Sequence, residues 1–136
     1  MAVDMNARYD GHLKMHITHL PSGTTLKTAA PADNKGDGSS FSPTDLVAAA
    51  AATCMVTTMA IVAEREGIAF PTAAVHIEKH MVSDPRRVGR LPSRIEMPAG
   101  LSAAARQTLE HAAHNCPVNR SLHPDVRTEI EFVYPD

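Results

Sequence analysis

The chain has 136 residues, 43% of them hydrophobic, with a net charge of −2 and a pI near 6.4. That length and apolar content can fill one core, so a single domain over residues 1–136 is expected. The 13 Lys and Arg are scattered rather than massed, which excludes the basic footprint that nucleic acid requires.

Residues 1–9 carry Asp4 and Arg8 and lack an apolar run followed by a small-residue cleavage site, so no secretion signal is read there and a cytoplasmic setting is expected. In that reducing setting a lasting disulfide is disfavoured. The two cysteines, Cys54 and Cys116, then stand as free thiols, metal ligands or a redox couple.

In chain order, residues 8–19 place Leu13, Met15 and Ile17 opposite His12, Lys14 and His16, a period of two that predicts one half-buried strand. Pro21-Ser22-Gly23 supplies a turn, and Thr24 to Thr28 can return as a second strand. Residues 31–40 form a Gly, Asp and Ser loop of a length that often borders a site.

Ser42-Pro43-Thr44-Asp45 is a helix start: Ser42 caps, Pro43 suits the first helical position, and Asp45 answers back at the positive end of the dipole. Gly67 is the expected stop. The helix of residues 43–66 would run roughly 36 Å, and its five consecutive alanines, 48–52, admit a close neighbour. Its uncharged stretch, residues 46–63, meets the lower limit for a membrane span. Yet it is dominated by alanine, which contributes little to insertion, and is bracketed by Asp45, Glu64, Arg65 and Glu66. A buried helix in a protein core is therefore expected, with no membrane partner.

Residues 73–82 alternate again as a strand, Asp84-Pro85 marks a turn, and residues 94–97 form a further strand expected to pair with the preceding one; Arg86, Arg87, Arg90 and Arg94 lie along the connection. Leu101, Ala105, Leu109, Ala112 and Ala113 recur at helical spacing up to about His114. Residues 126–134 alternate as a closing strand, expected to be antiparallel. Strands, a long helix, more strands, a second helix and a last strand define an α+β class.

Each thiol admits two readings. Cys54, with Val47, Ala50 and Ala51 one turn before it and Thr57 and Thr58 after it, is either a small buried hydrophobe or a reactive thiol, and reactivity needs a group that stabilises the thiolate. Cys116 either caps a short helix over residues 117–122, whose free N–H groups favour a thiolate, or ends the preceding helix and is unreactive. A zinc reading of His111, His114 and Cys116 lacks a second ligand pair, and His12, His16, His76 and His80 read as exposed. Neither GxSxG, GxGxxG nor a P-loop is present, and no cofactor is implied.

The run from Ser42 to Cys54 and the segment His114-Asn115-Cys116-Pro117-Val118, with Tyr9-Asp10-Gly11 and the order of elements, resemble the OsmC/Ohr family of thiol-dependent peroxidases. The resemblance implies an intertwined homodimer in which antiparallel sheets wrap long central helices. It implies that Cys54 attacks an organic hydroperoxide and becomes a sulfenic acid, and that Cys116 resolves it to a Cys54–Cys116 disulfide reduced by an external dithiol. The family holds its thiolate with an arginine from the N-terminal strands and an acid after the helix-start proline. Here the acidic position aligns with Thr44, with Asp45 one step along, and the cation candidates are Arg8 and Lys14. A non-catalytic module that binds a small apolar or acyl ligand at the dimer interface is the alternative, and a metal protein the third.

Overall fold

The computed structural model describes residues 1–136, which divide into two compact units, Met1–Leu46 and Val47–Asp136. In the first, strands β1 (Met5–Gly11), β2 (Lys14–His19) and β3 (Thr25–Ala29) form an antiparallel sheet in the order β1-β2-β3. The single strand expected over residues 8–19 is instead a hairpin. His12 and Leu13 sit in the left-handed region, at φ 57° and 61°, between the paired residues Gly11 and Lys14. Two positive φ values in a row make the turn whose twist matches the flanking strands. Neither His nor Leu signals that turn, so the alternation ran unbroken through it.

After β3 the loop contains a short 3-10 turn at Ala32–Asn34. Gly36 is fixed by space: a Cβ there would lie 1.8 Å from the Ala30 carbonyl oxygen. Helix α1 (Pro43–Glu66) begins as its sequence dictates. The Asp45 N–H donates to Ser42 Oγ at 3.0 Å, while the Ser42 N–H donates to Asp45 Oδ2 at 2.8 Å, so two orphan donors of the first turn are satisfied reciprocally.

The second unit is built on the remainder of α1. Ala48, Ala51, Met55, Met59 and Ala63 recur every three or four residues and form its buried stripe. By length and hydropathy α1 could cross a bilayer, yet it carries this core-facing stripe. Strands β4 (Ala74–Ile77), β5 (His80–Val82) and β6 (Arg87–Glu96) and the last strand, β7 (Arg127–Val133), make a four-stranded sheet centred on β6. The continuous strand expected over residues 73–82 breaks at Glu78 and Lys79, between the Ile77–Ser93 and His80–Arg90 pairs. Pro92 lies in that gap and has no N–H to give the ladder. Strand β6 starts earlier than expected and absorbs the arginine-rich connection.

Helices α2 (Ala103–His114) and α3 (Pro117–Ser121) connect β6 to β7. β7 pairs with β6 in parallel, not antiparallel as the alternation had suggested. The reason is topological: a long connection carrying two helices returns the chain to the end of the sheet where β6 began, whereas an antiparallel neighbour needs only a turn. The α+β class holds. Met59 and Leu109, both fully buried, belong to one cluster with Met55, Ile95, Ala113 and Cys116. Met59→Ala should lower unfolding free energy by about 2–5 kcal/mol, read as a reduced urea midpoint with an unchanged slope.

Candidate active site

Cys54 lies about three turns into α1, half-buried beside the core cluster. Cys116 occupies the corner between α2 and α3, with no exposed surface. Its backbone is extended (φ −63°, ψ 153°), Pro117 follows at the first helical position, and Cys116 is the N-cap of α3. Of the two placements open in the sequence, the cap is therefore the one adopted. The fold brings the two free thiols close enough for the Cys54 side chain to act on the Cys116 thiol.

Three further groups meet the sulfurs. The Val118 N–H donates to Cys54 Sγ at 3.5 Å and also serves Cys116. Thr58 Oγ1, one turn on from Cys54, lies 3.8 Å from its sulfur. The Asn119 N–H donates to Cys116. The threonine was within reach of helical spacing, since residues i and i+4 share a face. The N–H donors were not, because any residue except proline supplies one.

Burial pushes the Cys116 thiol up, and the neighbouring Cys54 adds to the rise through their hydrogen bond and its charge; the Asn119 and Val118 N–H groups oppose it. A charge on Cys54 adds to the cost of ionising Cys116, and an uncharged Cys54 would not.

An apolar groove of about 310 Å³ runs alongside, lined by Val47, Ala50, Pro117, Val118, Ser121 and Leu122. Val118 thus faces the groove with its side chain and meets the sulfurs with its N–H. Such a surface accepts an alkyl or aryl group and offers little to a small hydrated molecule.

The other sequence candidates lie in the first unit, each with its own partner. Arg8 Nε pairs with Asp10 Oδ1 at 3.1 Å, and Lys14 Nζ with Asp37 Oδ2 at 3.0 Å. The Asp37 carboxyl is held well below its usual range by hydrogen bonds from Ser39 and Lys14. Thr44 Oγ1 is 3.2 Å from Ser42 Oγ, and Asp45 closes the capping box. The His111, His114 and Cys116 spacing does not converge: both histidines are exposed while Cys116 is buried, and His114 packs edge-on against Phe132.

The chain matches the OsmC-like protein family over residues 36–131 and belongs to that family. A solved Psychrobacter arcticus protein, named for osmotic stress induction and a detoxification response, is 34% identical, with 95% of this chain and 94% of that one covered and a TM-score of 0.90. The organic hydroperoxide resistance protein OhrB of Bacillus subtilis is 21% identical, with 98% of each chain covered and a TM-score of 0.70. An organic hydroperoxide resistance protein OsmC from Legionella pneumophila is 20% identical, covering 97% of this chain and 96% of that one at a TM-score of 0.75. The last two establish the fold. No curated protein matches the chain.

Because burial raises the Cys116 thiol, disulfide closure should accelerate with pH, by about tenfold per unit while the thiolate is the minor form. The rise should continue beyond the ordinary thiol range. Rapid-quench thiol counting across pH 6–10 after a single oxidant pulse measures it.

Proposed function

We propose that this chain is a thiol-dependent peroxidase that reduces organic hydroperoxides. The observation that carries the reading is the contact between the Cys54 and Cys116 thiols beside an apolar groove. The names of the relatives, a detoxification response and organic hydroperoxide resistance, agree with it.

In the proposed cycle the Cys54 thiolate attacks the outer oxygen of ROOH. An S–O bond forms, the O–O bond breaks, and RO⁻ leaves and is protonated to ROH. Cys54 is then a sulfenic acid. The Cys116 thiolate attacks that sulfur, an S–S bond replaces the S–O bond, and hydroxide departs as water with the thiol proton. An external dithiol exchanges with the disulfide, becomes oxidised and restores both thiols. The groove would seat R, which favours aryl or alkyl hydroperoxides over hydrogen peroxide.

The setting of this chemistry is proposed with it. Activation of Cys54 is assigned to the N-terminal candidates, with Arg8 or Lys14 as the cation and Thr44 or Asp45 as its orienting partner. The working form is a cytoplasmic homodimer, a proposal supported by the outward face of α1, where Ile61 is 59% exposed among Thr53, Thr57 and Glu64. Neither nucleic acid nor a membrane takes part.

Steady-state consumption of cumene hydroperoxide with a dithiol tests the reading. Wild type should turn over, Cys54→Ser should fall to background, and Cys116→Ser should stop after one turnover with a sulfenic acid that dimedone traps at Cys54. Absence of any Cys54-dependent consumption contradicts the proposal. The groove also favours a second reading, a module that binds a small apolar or acyl ligand with the thiols incidental. Retained ligand binding in Cys54→Ala, in a protein that never forms a disulfide, would favour that reading.

Dimer formation has its own check: sedimentation should give twice the chain mass for wild type, and Ile61→Glu should shift the equilibrium toward monomer. A monomeric wild type at micromolar concentration would remove the assembly.

A further inference from the structure

Asn119 lies in the first turn of α3, and its side chain reaches back to α2. Its Nδ2 donates to the Ala113 carbonyl at 3.1 Å, the same oxygen that the Cys116 N–H approaches at 3.4 Å. A carbonyl oxygen accepts only from the amide nitrogen, so this bond fixes which way the amide faces. The other end, Oδ1, is shut off from solvent and has no partner. An apolar side chain of similar volume would leave no such orphan acceptor, and buried unpaired polar atoms of this kind call for a reason. What position 119 gains from asparagine is therefore the donor.

The donor spans the corner that carries the thiol. Residues 113 and 119 flank Cys116 by three positions on either side, and the Cys116 carbonyl accepts the Arg120 N–H at 3.0 Å. The corner is closed on both flanks. From the same residue the Asn119 N–H reaches the Cys116 sulfur, and from the preceding one the Val118 N–H reaches Cys54.

We propose that Asn119 is the positioning residue of the resolving step: its Nδ2–Ala113 bond holds the α2–α3 corner so that Cys116 Sγ stays in line with Cys54. The inference rests on the reading of the two thiols as a redox pair, and it assigns the tether to disulfide closure rather than to the first attack at Cys54. In closure the incoming Cys116 sulfur must lie along the axis of the bond that breaks at Cys54. A corner free to swing dilutes that geometry, whereas attack by Cys54 on an incoming small molecule does not depend on it.

Diamide separates the two steps without requiring peroxidase activity. The Cys54 thiol adds across its N=N bond, and the Cys116 thiolate then displaces the hydrazine, so an S–S bond forms and an S–N bond breaks. Asn119→Leu should slow closure by about tenfold or more, with formation of the first adduct within about twofold of wild type. Asn119→Asp keeps the shape but loses the donor, and its closure should be slow even on the high-pH plateau, where ionisation of Cys116 is no longer limiting. Asn119→Gln retains an amide and should recover part of the rate. Should the leucine variant fail to fold, the aspartate and glutamine pair carries the test.

Closure at the wild-type rate in both Asn119→Leu and Asn119→Asp overturns the assignment. So does a parallel loss of both steps together with thermal stability, which would mark a merely structural role. If wild type ignores cumene hydroperoxide while the diamide results hold, the peroxidase reading fails and the role of Asn119 stands. If diamide never links Cys54 to Cys116 in wild type, both fall.

Discussion

The contact between α1 and the α2–α3 corner is the constraint on which the rest of the site depends. Cys54 and Cys116 are far apart in the chain, and nothing local holds them near each other. Their approach is imposed by burial: Met55, Met59 and Ala63 on α1 pack with Leu109, Ala112 and Ala113 on α2, in the cluster to which Cys116 belongs. Apolar burial has no direction of its own, and close packing supplies the precision, since side chains in such a core have little room to slide. The alanines of α2 let the corner settle against the long helix. A thiol pair assembled this way is as exact as the core beneath it.

Burial alone would make poor redox chemistry, because an apolar surrounding keeps a thiol protonated. The corner offsets this by turning backbone donors toward sulfur. Pro117 gives up no useful hydrogen bond at the first position of α3, and the N–H groups of Val118 and Asn119 point at the two thiols. Burial raises Cys116 most and the neighbouring Cys54 adds to it, so the two thiols sit in different electrostatic settings. The apolar groove beside them completes a site in which a single turn, Cys116 to Leu122, contributes a thiol, N–H donors and part of the lining.

Much of this was legible in the residues, and the gaps have physical causes. The helix start at Ser42-Pro43-Thr44-Asp45 declared itself because capping uses a few side chains at fixed spacing, and α1 formed over the expected 43–66. The alternation in residues 126–134 correctly marked a strand but carried no information on direction, so the parallel pairing with β6 was invisible. The hairpin at His12 and Leu13 was missed because its positive φ values fall on residues that rarely adopt them. At the site, both cysteines stood out in the sequence, while the cap position of Cys116 was one of two placements it left open. The tether from Asn119 to Ala113 could not, because it depends on a corner whose shape is set by packing between two helices.

The redox account stands or falls on whether these two sulfurs bond to each other. Intact-mass measurement with thiol counting after one equivalent of an organic hydroperoxide is the most direct test. The account predicts a loss of about 2 Da with both thiols blocked, and a peptide in which Cys54 is linked to Cys116. An unchanged mass with two free thiols, or an oxygen adduct on Cys54 that persists beside a free Cys116, would contradict it.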